Sequence, residues 1–205
     1  MSDKDPFEGR TLARSKAERL ARIPSPSAGS APPPPVASSS ASASSTASAP
    51  RAASSPESEG RMADITKKPI VHREAIAEGF LRLKPETLRA IAEGRAPKGD
   101  PFGPARIAGI MAAKNTPDLV PLCHPIPLTS VEIDLLREER GVRCRASVIA
   151  EWKTGVEMEA LAAVTGALLT VWDMTKALEK DGTGNYPDTA IEAIRVLRKT
   201  KGGSA

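Results

Sequence analysis

Cysteine, histidine and aromatic residues are scarce in this sequence of 205 residues, which has two cysteines, two histidines and six aromatic side chains. Cys123 and Cys144 are too few for a disulfide framework and lack the Cys-x-x-Cys spacing of a zinc site, so reduced thiols are expected. The two histidines and the scattered carboxylates do not have the sequence spacing that is typical of metal ligands. The sequence therefore predicts neither a protein-bound metal nor a resident cofactor.

Long hydrophobic runs are absent as well. Lys, Arg, Asp or Glu interrupts every apolar segment before it reaches the roughly 18 residues of a membrane-spanning helix. Residues 1–22 contain no apolar stretch of the kind found in secretory signals, and their acidic residues are unlike those of a transit peptide. These absences predict a cytoplasmic protein with no membrane segment.

Charge of one sign is not concentrated anywhere in the chain. Residues 1–61 contain 8 basic and 6 acidic residues, and the remainder contains 21 basic and 19 acidic ones. A duplex-binding protein concentrates Lys and Arg on one face, and a single-strand binder interleaves them with stacking aromatics. Neither pattern occurs here, so no nucleic-acid partner is expected.

Composition divides the chain near residue 62. Between residues 24 and 60, Ser, Ala and Pro supply 30 of 37 residues, which leaves almost no large apolar surface to offset the entropy of ordering the backbone. Residues 1–61 are therefore predicted to be a disordered Ser/Ala/Pro-rich extension. Residues 62–205 hold five of the six aromatics and nearly all the Leu, Ile and Val, enough for one domain.

Residue periodicity in this second part predicts the order β-α-α-β-β-α-β. The predicted elements are a strand over 71–83, a helix from Pro85 to Gly94, a helix from Asp100 to Lys114, a hairpin over 131–148, a largely buried helix over 156–179 and a strand over 190–199. This order places helices on one face of an antiparallel sheet, in a split βαβ layout that resembles the ferredoxin-like α+β fold. Such a fold fixes no function.

Phe80 falls on the charged side of the first predicted strand, which indicates that both faces of this strand are partly covered. The carboxylate of Asp100 can cap free amides of the second predicted helix, and Asn115 and Pro117 are expected to end it.

Four short segments contain the residue types that catalysis requires: Lys98-Gly99-Asp100, Leu122-Cys123-His124-Pro125, the segment 154–159 and the segment 173–176. Each has an ordinary structural explanation. A lysine in a turn is usually solvated, a histidine in the core is usually satisfied by a carbonyl, and carboxylates at a helix start interact with the helix dipole. Cys123 beside His124 is not a nucleophile–base pair, because adjacent side chains in extended backbone point to opposite faces.

Asp173 and Lys176 are three residues apart on the long predicted helix, which places them on one face as an ordinary ion pair or as catalytic groups. Their neighbours Val171, Trp172 and Met174 are apolar. Partial burial among such residues would lower the pKa of the Lys176 ammonium toward the range of proton exchange.

Glu159 and Asp173 are fourteen residues apart, about 21 Å along a straight helix. The two carboxylates therefore cannot readily meet in the site of one subunit. If both contact one ligand, a symmetry-related chain must bring them together.

Four segments, in this order and spacing, resemble the cyclic pyranopterin monophosphate synthase family, also called the molybdenum cofactor biosynthesis protein C family: VHREAIAEGF, GRAPKGDPFGPARIAGIMAAKNTPDLVPLCHPIPL, KTGVEMEAL and VWDMTKALEKD. The resemblance spans residues 62–201 and leaves the extension uncovered. The ending KDGTGNYPDTAIEAIRVLRKTKG is similar to the family variant that carries Tyr-Pro, and not to the shorter one.

The resemblance implies a lyase that converts 3',8-cyclo-7,8-dihydroguanosine 5'-triphosphate into cyclic pyranopterin monophosphate and diphosphate in molybdenum cofactor biosynthesis. It implies a homohexamer, a trimer of dimers with sites at subunit interfaces, which acts after a radical SAM enzyme. The implied catalytic residues are Lys98, Asp173 and Lys176. The implied substrate-binding residues are Leu122, Cys123, His124, Met158, Glu159, Glu157 and Arg73. No metal ligand is implied, although Mg²⁺ accompanying the triphosphate is compatible with the reaction.

Two other interpretations compete with the synthase function. A catalytically silent nucleotide-binding or scaffold protein of the same fold, whose extension recruits partners, would have lost site residues. Lys98, His124, Glu159, Asp173 and Lys176 are all present. A ferredoxin-like nucleic-acid-binding domain needs exposed aromatics on its sheet, and the predicted strands have almost none.

Overall fold

Residues 60–202 are described by the computed structural model. The predicted extension, residues 1–61, lies outside them except for its last two residues, so the division at residue 62 stays a prediction. The elements in chain order are β1 Val71–Arg82, α1 Pro85–Ala92, α2 Phe102–Lys114, α3 Thr116–Leu119, β2 Ser130–Glu138, β3 Gly141–Trp152, α4 Glu157–Glu179 and β4 Ala190–Lys201.

The four strands form one sheet in the order β2-β3-β1-β4, and every neighbouring pair is antiparallel. Strands β1 and β2 both neighbour β3, so a helical connection joins two strands with a third lying between them. This is the split βαβ arrangement, and the predicted α+β, ferredoxin-like fold class is confirmed.

The core lies between the sheet and α4. Ala75, Ala77 and Leu81 of β1 are fully buried on the face that α4 covers, together with Val164 and Leu168 of the helix. Small residues let the backbones approach closely, because a Cβ added at Gly79 would lie 2.7 Å from Cγ1 of Val164. Burial of this apolar face orients α4 along the sheet and so fixes where its two ends lie.

The two helices α2 and α4 also pack through small residues. A Cβ at Gly109 of α2 would lie 2.5 Å from Cδ1 of Ile133 and 2.9 Å from the carbonyl oxygen of Ala163. At Gly166 of α4 it would lie 2.7 Å from Cβ of Ala112. Contacts this short leave no room for a methyl group, so these glycines set the separation of the helices.

The other face of β1 carries buried charge. Glu78 is 1% exposed, and its carboxylate accepts a hydrogen bond from Arg145 at 2.7 Å and forms an ion pair with Arg143 at 3.1 Å. The Arg143 guanidinium also lies 5.3 Å from the centre of the Phe80 ring. Both faces of β1 are therefore covered, as the placement of Phe80 beside charged residues indicated.

The chain between α2 and β2 differs from the prediction. Asn115 and Pro117 were expected to end helical structure, but a further short helix, α3, begins at Thr116. Pro117 lies in its first turn, where a missing backbone N–H and a fixed φ are compatible with a helix. At the start of α2, Asp100 accepts a hydrogen bond from the backbone N–H of Phe102 at 3.1 Å, but the N-cap position itself is Pro101, one residue later than the prediction.

Within residues 60–202, α4 is long and apolar enough by length and composition to cross a membrane. Its apolar face, however, packs against the sheet through Ala160, Ala163, Val164, Ala167 and Leu168, all fully buried. The core helix of a water-exposed domain meets the same length and composition criteria.

Candidate active site

One carboxylate near the C-terminal end of α4 holds two ammonium groups. Oδ1 of Asp173 lies 2.8 Å from Nζ of Lys176, one turn further along the helix, and Oδ2 accepts a hydrogen bond from Nζ of Lys98 at 2.6 Å. We call these three residues the lysine–aspartate cluster. Lys98 comes from the turn between α1 and α2, where Gly99 adopts a φ of 83° that favours glycine.

The two lysines control the charge of this cluster. The hydrogen bond from Lys176, and then that from Lys98, lowers the pKa of Asp173 to about 2. In return, the hydrogen bond and charge of Asp173 raise the pKa of Lys176. The predicted lowering of the Lys176 pKa by burial is therefore wrong for the single chain. The side chain is 46% exposed and has a carboxylate partner, so ion pairing outweighs desolvation.

A second group of candidate residues lies at the N-terminal end of α4. Glu159 is 3% exposed, and within the described part of the chain its Oε2 has no hydrogen-bond partner. Desolvation raises the pKa of Glu159 to about 7, and the negative charge of Glu157 acts in the same direction. This carboxyl group therefore changes charge near neutral pH.

Cys123 lies close enough to Glu159 for its thiol to sense the carboxylate. Burial, and then the charge of Glu159, raises the pKa of Cys123. A thiol in this setting is protonated and is a poor nucleophile, which agrees with the expectation that Cys123 and His124 are not a nucleophile–base pair. His124 is half-buried, while Leu122 and Met158 expose large apolar surfaces of 50% and 41%. We call Leu122, Cys123, His124, Met158 and Glu159 the glutamate cluster.

A basic cavity of about 260 Å³ opens where the ends of β1, β3 and β4 meet. Arg73 lies in its wall and is fixed by donating hydrogen bonds to the carbonyl oxygens of Trp152 at 3.3 Å and Lys153 at 3.1 Å. The other lining residues are Lys68, Glu74, Lys153, Thr154, Gly155, Glu157, Lys199, Thr200 and Lys201. We call this space the basic cavity.

Glu157 is the acidic residue that pairs with a lysine across the basic cavity. Its carboxylate lies 3.0 Å from Nζ of Lys199. Burial is the largest single influence and acts to raise the pKa of Glu157. The hydrogen bond from Lys199, a backbone hydrogen bond and the charges of Lys199 and Arg73 together outweigh it, so the pKa is lowered. An incoming anion would compete with Glu157 for the Lys199 ammonium.

Comparison with known proteins decides the family. The profile of the MoaC family matches residues 62–202, about 70% of the chain. The chain belongs to the MoaC family. Relatives named "Probable cyclic pyranopterin monophosphate synthase" include one from Archaeoglobus fulgidus, 54% identical over 143 residues that span 70% of this chain and 92% of the relative. Another, from Aeropyrum pernix, is 57% identical over 141 residues that span 69% and 97%. The resemblance inferred from the motifs is confirmed.

The fold of this MoaC-family chain brings together some of the predicted site residues and separates others. Lys98, Asp173 and Lys176 meet, although Lys98 is distant from the others in sequence. Cys123 and Glu159 are neighbours, and Glu157 lies beside Arg73 in the basic cavity. Because α4 is one continuous helix, Glu159 and Asp173 remain about 21 Å apart.

Sequence reasoning missed four lysines of the basic cavity: Lys68, Lys153, Lys199 and Lys201. The sequence contains a pattern that could have identified two of these lysines. Lys199 and Lys201 are two residues apart on one face of β4, and the register pairs Lys201 with Arg73 of β1. That convergence appears only once the pairing of the strands is known.

No group of three or more His, Cys, Asp or Glu side chains that could hold a metal ion occurs among residues 60–202. The acidic residues of the site are instead paired with lysines or isolated. The donor set is thus suited to binding anions and exchanging protons.

Proposed function

We propose that this protein is a cyclic pyranopterin monophosphate synthase, a lyase of molybdenum cofactor biosynthesis. Its substrate is 3',8-cyclo-7,8-dihydroguanosine 5'-triphosphate, and its products are cyclic pyranopterin monophosphate and diphosphate. The observation that carries the proposal is the lysine–aspartate cluster, in a chain of a family whose relatives bear the synthase name. Residues 62–205 form the catalytic domain and residues 1–61 an extension to it.

Rebuilding the purine-derived rings requires protons to be removed and donated, and the lysine–aspartate cluster supplies two ammonium groups for this. Asp173 is ionised at every physiological pH because its pKa is about 2, so it holds both lysines in place. Lys98 comes from a turn and Lys176 from a helix, so substrate binding perturbs them unequally. Unequal pKa values allow one lysine to act as general acid and the other as general base.

Phosphate ring closure requires a cluster of positive charge. A substrate hydroxyl oxygen forms a bond to the α-phosphorus, the bond to the β-phosphate oxygen breaks, and diphosphate leaves with the electron pair. The hydroxyl proton passes to a base. The basic cavity places Arg73, Lys68 and Lys199 around a space of about 260 Å³, where they stabilise charge on the departing diphosphate. Mg²⁺ would accompany the phosphates through their own oxygens.

The glutamate cluster binds the ring system of the substrate. Leu122 and Met158 offer exposed apolar surface to a planar ring, and Cys123 and His124 line the approach. Glu159 has an unpaired carboxyl oxygen for a polar edge of the ring. Burial raises its pKa to about 7, so the carboxyl group can be protonated near neutral pH and then donates as well as accepts a hydrogen bond.

The complete site forms between two subunits of a homohexamer built as a trimer of dimers. The 21 Å separation along α4 supports this, because the lysine–aspartate cluster lies near one end of the helix, while the glutamate cluster and the basic cavity lie at the other. Large exposed apolar residues on the helical layer are available for subunit contacts: Ile107 is 63% exposed, Met111 55% and Leu169 52%.

The enzyme acts in the cytoplasm, after a radical SAM enzyme that makes its cyclised substrate.

Incubation with the cyclised nucleotide tests this function. Purified protein should release diphosphate and yield the product, which is oxidised to a fluorescent pterin and measured. Lys176→Gln should lower kcat by about 100-fold or more while substrate still binds. Lys114→Gln, at an exposed lysine at the end of α2, should retain the parent rate. Release of neither product by the parent protein would overturn the function, and turnover of Lys176→Gln within a few-fold of the parent would overturn the lysine's role.

A further inference from the structure

The chain enters β1 and leaves β3 at the same end of the sheet. Strands β1 and β3 are antiparallel neighbours, and their register pairs Val71, the first residue of β1, with Trp152, the last residue of β3. The residues before β1 and those after β3 therefore leave the sheet beside one another. The basic cavity opens at this end, with Lys68 from the first segment and Lys153 from the second in its wall.

Residues 64–68 form a turn that ends at Lys68, and we call it the Thr66 turn. The carboxylate of Asp64 accepts a hydrogen bond from the backbone N–H of Thr66 at 2.8 Å, and the backbone N–H of Lys68 donates to the carbonyl oxygen of Ile65 at 3.1 Å. Ile65 is half-buried, whereas Thr66 and Lys68 are exposed. Both hydrogen bonds lie within the turn, so they define its shape but do not attach it to the sheet.

Lys153 attaches the Thr66 turn to the end of β3. Its ammonium donates a hydrogen bond to the carbonyl oxygen of Thr66 at 2.9 Å. The backbone carbonyl oxygen of Lys153 accepts a hydrogen bond from the Arg73 guanidinium at 3.1 Å. Lys153 therefore holds two parts of the cavity wall, the turn that carries Lys68 through its side chain and Arg73 through its backbone.

We propose that Lys153 is a positioning residue of the basic cavity, whose ammonium holds the carbonyl oxygen of Thr66 and so keeps Lys68 at the diphosphate. This inference rests on the proposed function, which places the diphosphate in that cavity. The Lys68 ammonium is carried on a flexible stem from the end of the turn, so the space it samples depends on where the turn lies. A turn that is fixed before the anion arrives lowers the ordering cost of binding.

A double-mutant cycle on the binding of inorganic diphosphate, measured by calorimetric titration, tests the proposal. Lys153→Met should weaken binding about threefold or more in the parent, but less than about 1.5-fold in the Lys68→Met background, because its effect passes through Lys68. The titrations are made in 0.5 M NaCl, where the Debye length is about 4 Å, so the charge lost at position 153 has little effect at longer range.

Two further variants control for the charge and for the type of contact. Lys153→Arg keeps a cationic donor on a long stem, and it should bind diphosphate within about 1.5-fold of the parent. Lys84→Met removes a contact of the same kind at the other end of α4, where Nζ of Lys84 donates to the carbonyl oxygen of Lys180 at 3.2 Å. It should leave diphosphate binding unchanged.

Hydrogen–deuterium exchange reports the position of the turn without turnover or ligand. In Lys153→Met, a peptide that spans residues 62–70 should exchange about threefold or more faster than in the parent, because the turn opens more often once it is released from β3. The same peptide of Lys153→Arg should exchange at the parent rate.

The outcomes separate this proposal from the proposed function. Equal weakening by Lys153→Met with and without Lys68 would show that Lys153 acts on diphosphate directly, and unchanged exchange would show that it does not hold the turn. Either result would overturn the positioning role even in an active enzyme, as would a parent that binds no diphosphate. A parent that does not turn over the cyclised nucleotide would overturn the proposed function, while coupled binding and faster exchange would still support the role of Lys153.

Discussion

Nζ of Lys98 lies 2.6 Å from Oδ2 of Asp173, although the two residues are 75 positions apart in the chain. The second oxygen of the same carboxylate holds Lys176. Asp173 thus joins the turn after α1 to the last part of α4. Because both lysines lower its pKa to about 2, the carboxylate keeps this role across the whole physiological pH range.

Asp173→Asn should release both lysines. The amide has nearly the same shape but no charge, so neither ammonium is held, and kcat should fall by about 100-fold or more. The Tm should change by no more than about 2 °C, because ion pairs this exposed contribute little to stability. Steady-state kinetics and thermal unfolding measure the two effects.

Asp118→Asn is the matched control for this change, because Asp118 is an exposed aspartate in the short helix α3. It should leave kcat unchanged. A rate for Asp173→Asn within about threefold of the parent would remove Asp173 from the catalytic account.

Glu159 should make stability depend on pH between about 4.5 and 7. Its pKa is about 7 in the folded protein and 4.5 when unperturbed, so the folded state binds the proton more tightly than the unfolded state does. The stability this contributes is complete below pH 4.5 and decreases as the pH rises to 7, by about 1–3 kcal/mol. Urea unfolding of the parent and of Glu159→Gln, at pH 5 and pH 8, measures the difference.

The glutamine variant should lose less stability than the parent between these two pH values, because it cannot ionise. Parallel losses in both proteins would show that Glu159 ionises with an ordinary pKa.

The same variant, Glu159→Gln, should also turn over substrate at least about tenfold more slowly, since it cannot exchange a proton with the bound ring.

The basic cavity should bind diphosphate. Arg73→Met removes a guanidinium that the carbonyls of Trp152 and Lys153 hold in place, and it should weaken product inhibition by diphosphate about tenfold or more. Arg89→Met replaces an exposed arginine of α1, and diphosphate should inhibit this variant as strongly as it inhibits the parent. If diphosphate had the same inhibition constant for both variants, the phosphates would bind outside the basic cavity.

Much of the fold could be predicted from the residues. Alternating apolar and charged residues identified the strands, and Pro85 and Gly94 marked the two ends of α1. The short helix α3 was not predicted, because a proline after a helix indicates the end of that helix but also fits the first turn of a new one, as Pro117 does. The residues alone could not distinguish these two roles.

Less of the candidate site than of the fold could be predicted from the sequence. The pKa direction of Lys176 was predicted wrongly because its ion pair with Asp173, which raises the pKa, outweighs the desolvation of a side chain that is 46% exposed. The contact of Lys98 with Asp173 depends on tertiary structure, and only the family resemblance placed these residues in one site. The basic cavity depends on strand register, which composition does not reveal.

Gly109→Ala should destabilise the domain by about 1–3 kcal/mol. The added methyl group would meet Ile133 and the carbonyl oxygen of Ala163, so α2 and α4 would have to move apart. Gly103→Ala is the control on the same helix, because its nearest contact would be 3.8 Å away, and it should leave stability unchanged or raise it. Equal stabilities in urea unfolding would mean that the helices are not packed at this distance.

The central claim is that one active site combines the lysine–aspartate cluster of one subunit with the glutamate cluster of another. Co-expression of Asp173→Asn with Glu159→Gln tests it most directly. In a mixed pair of subunits, one shared site carries both substitutions and the other carries neither. Random pairing should therefore restore about a quarter of the parent activity, although each variant alone is nearly inactive. Activity of the mixture no higher than the average of the two variants would contradict a site shared between subunits.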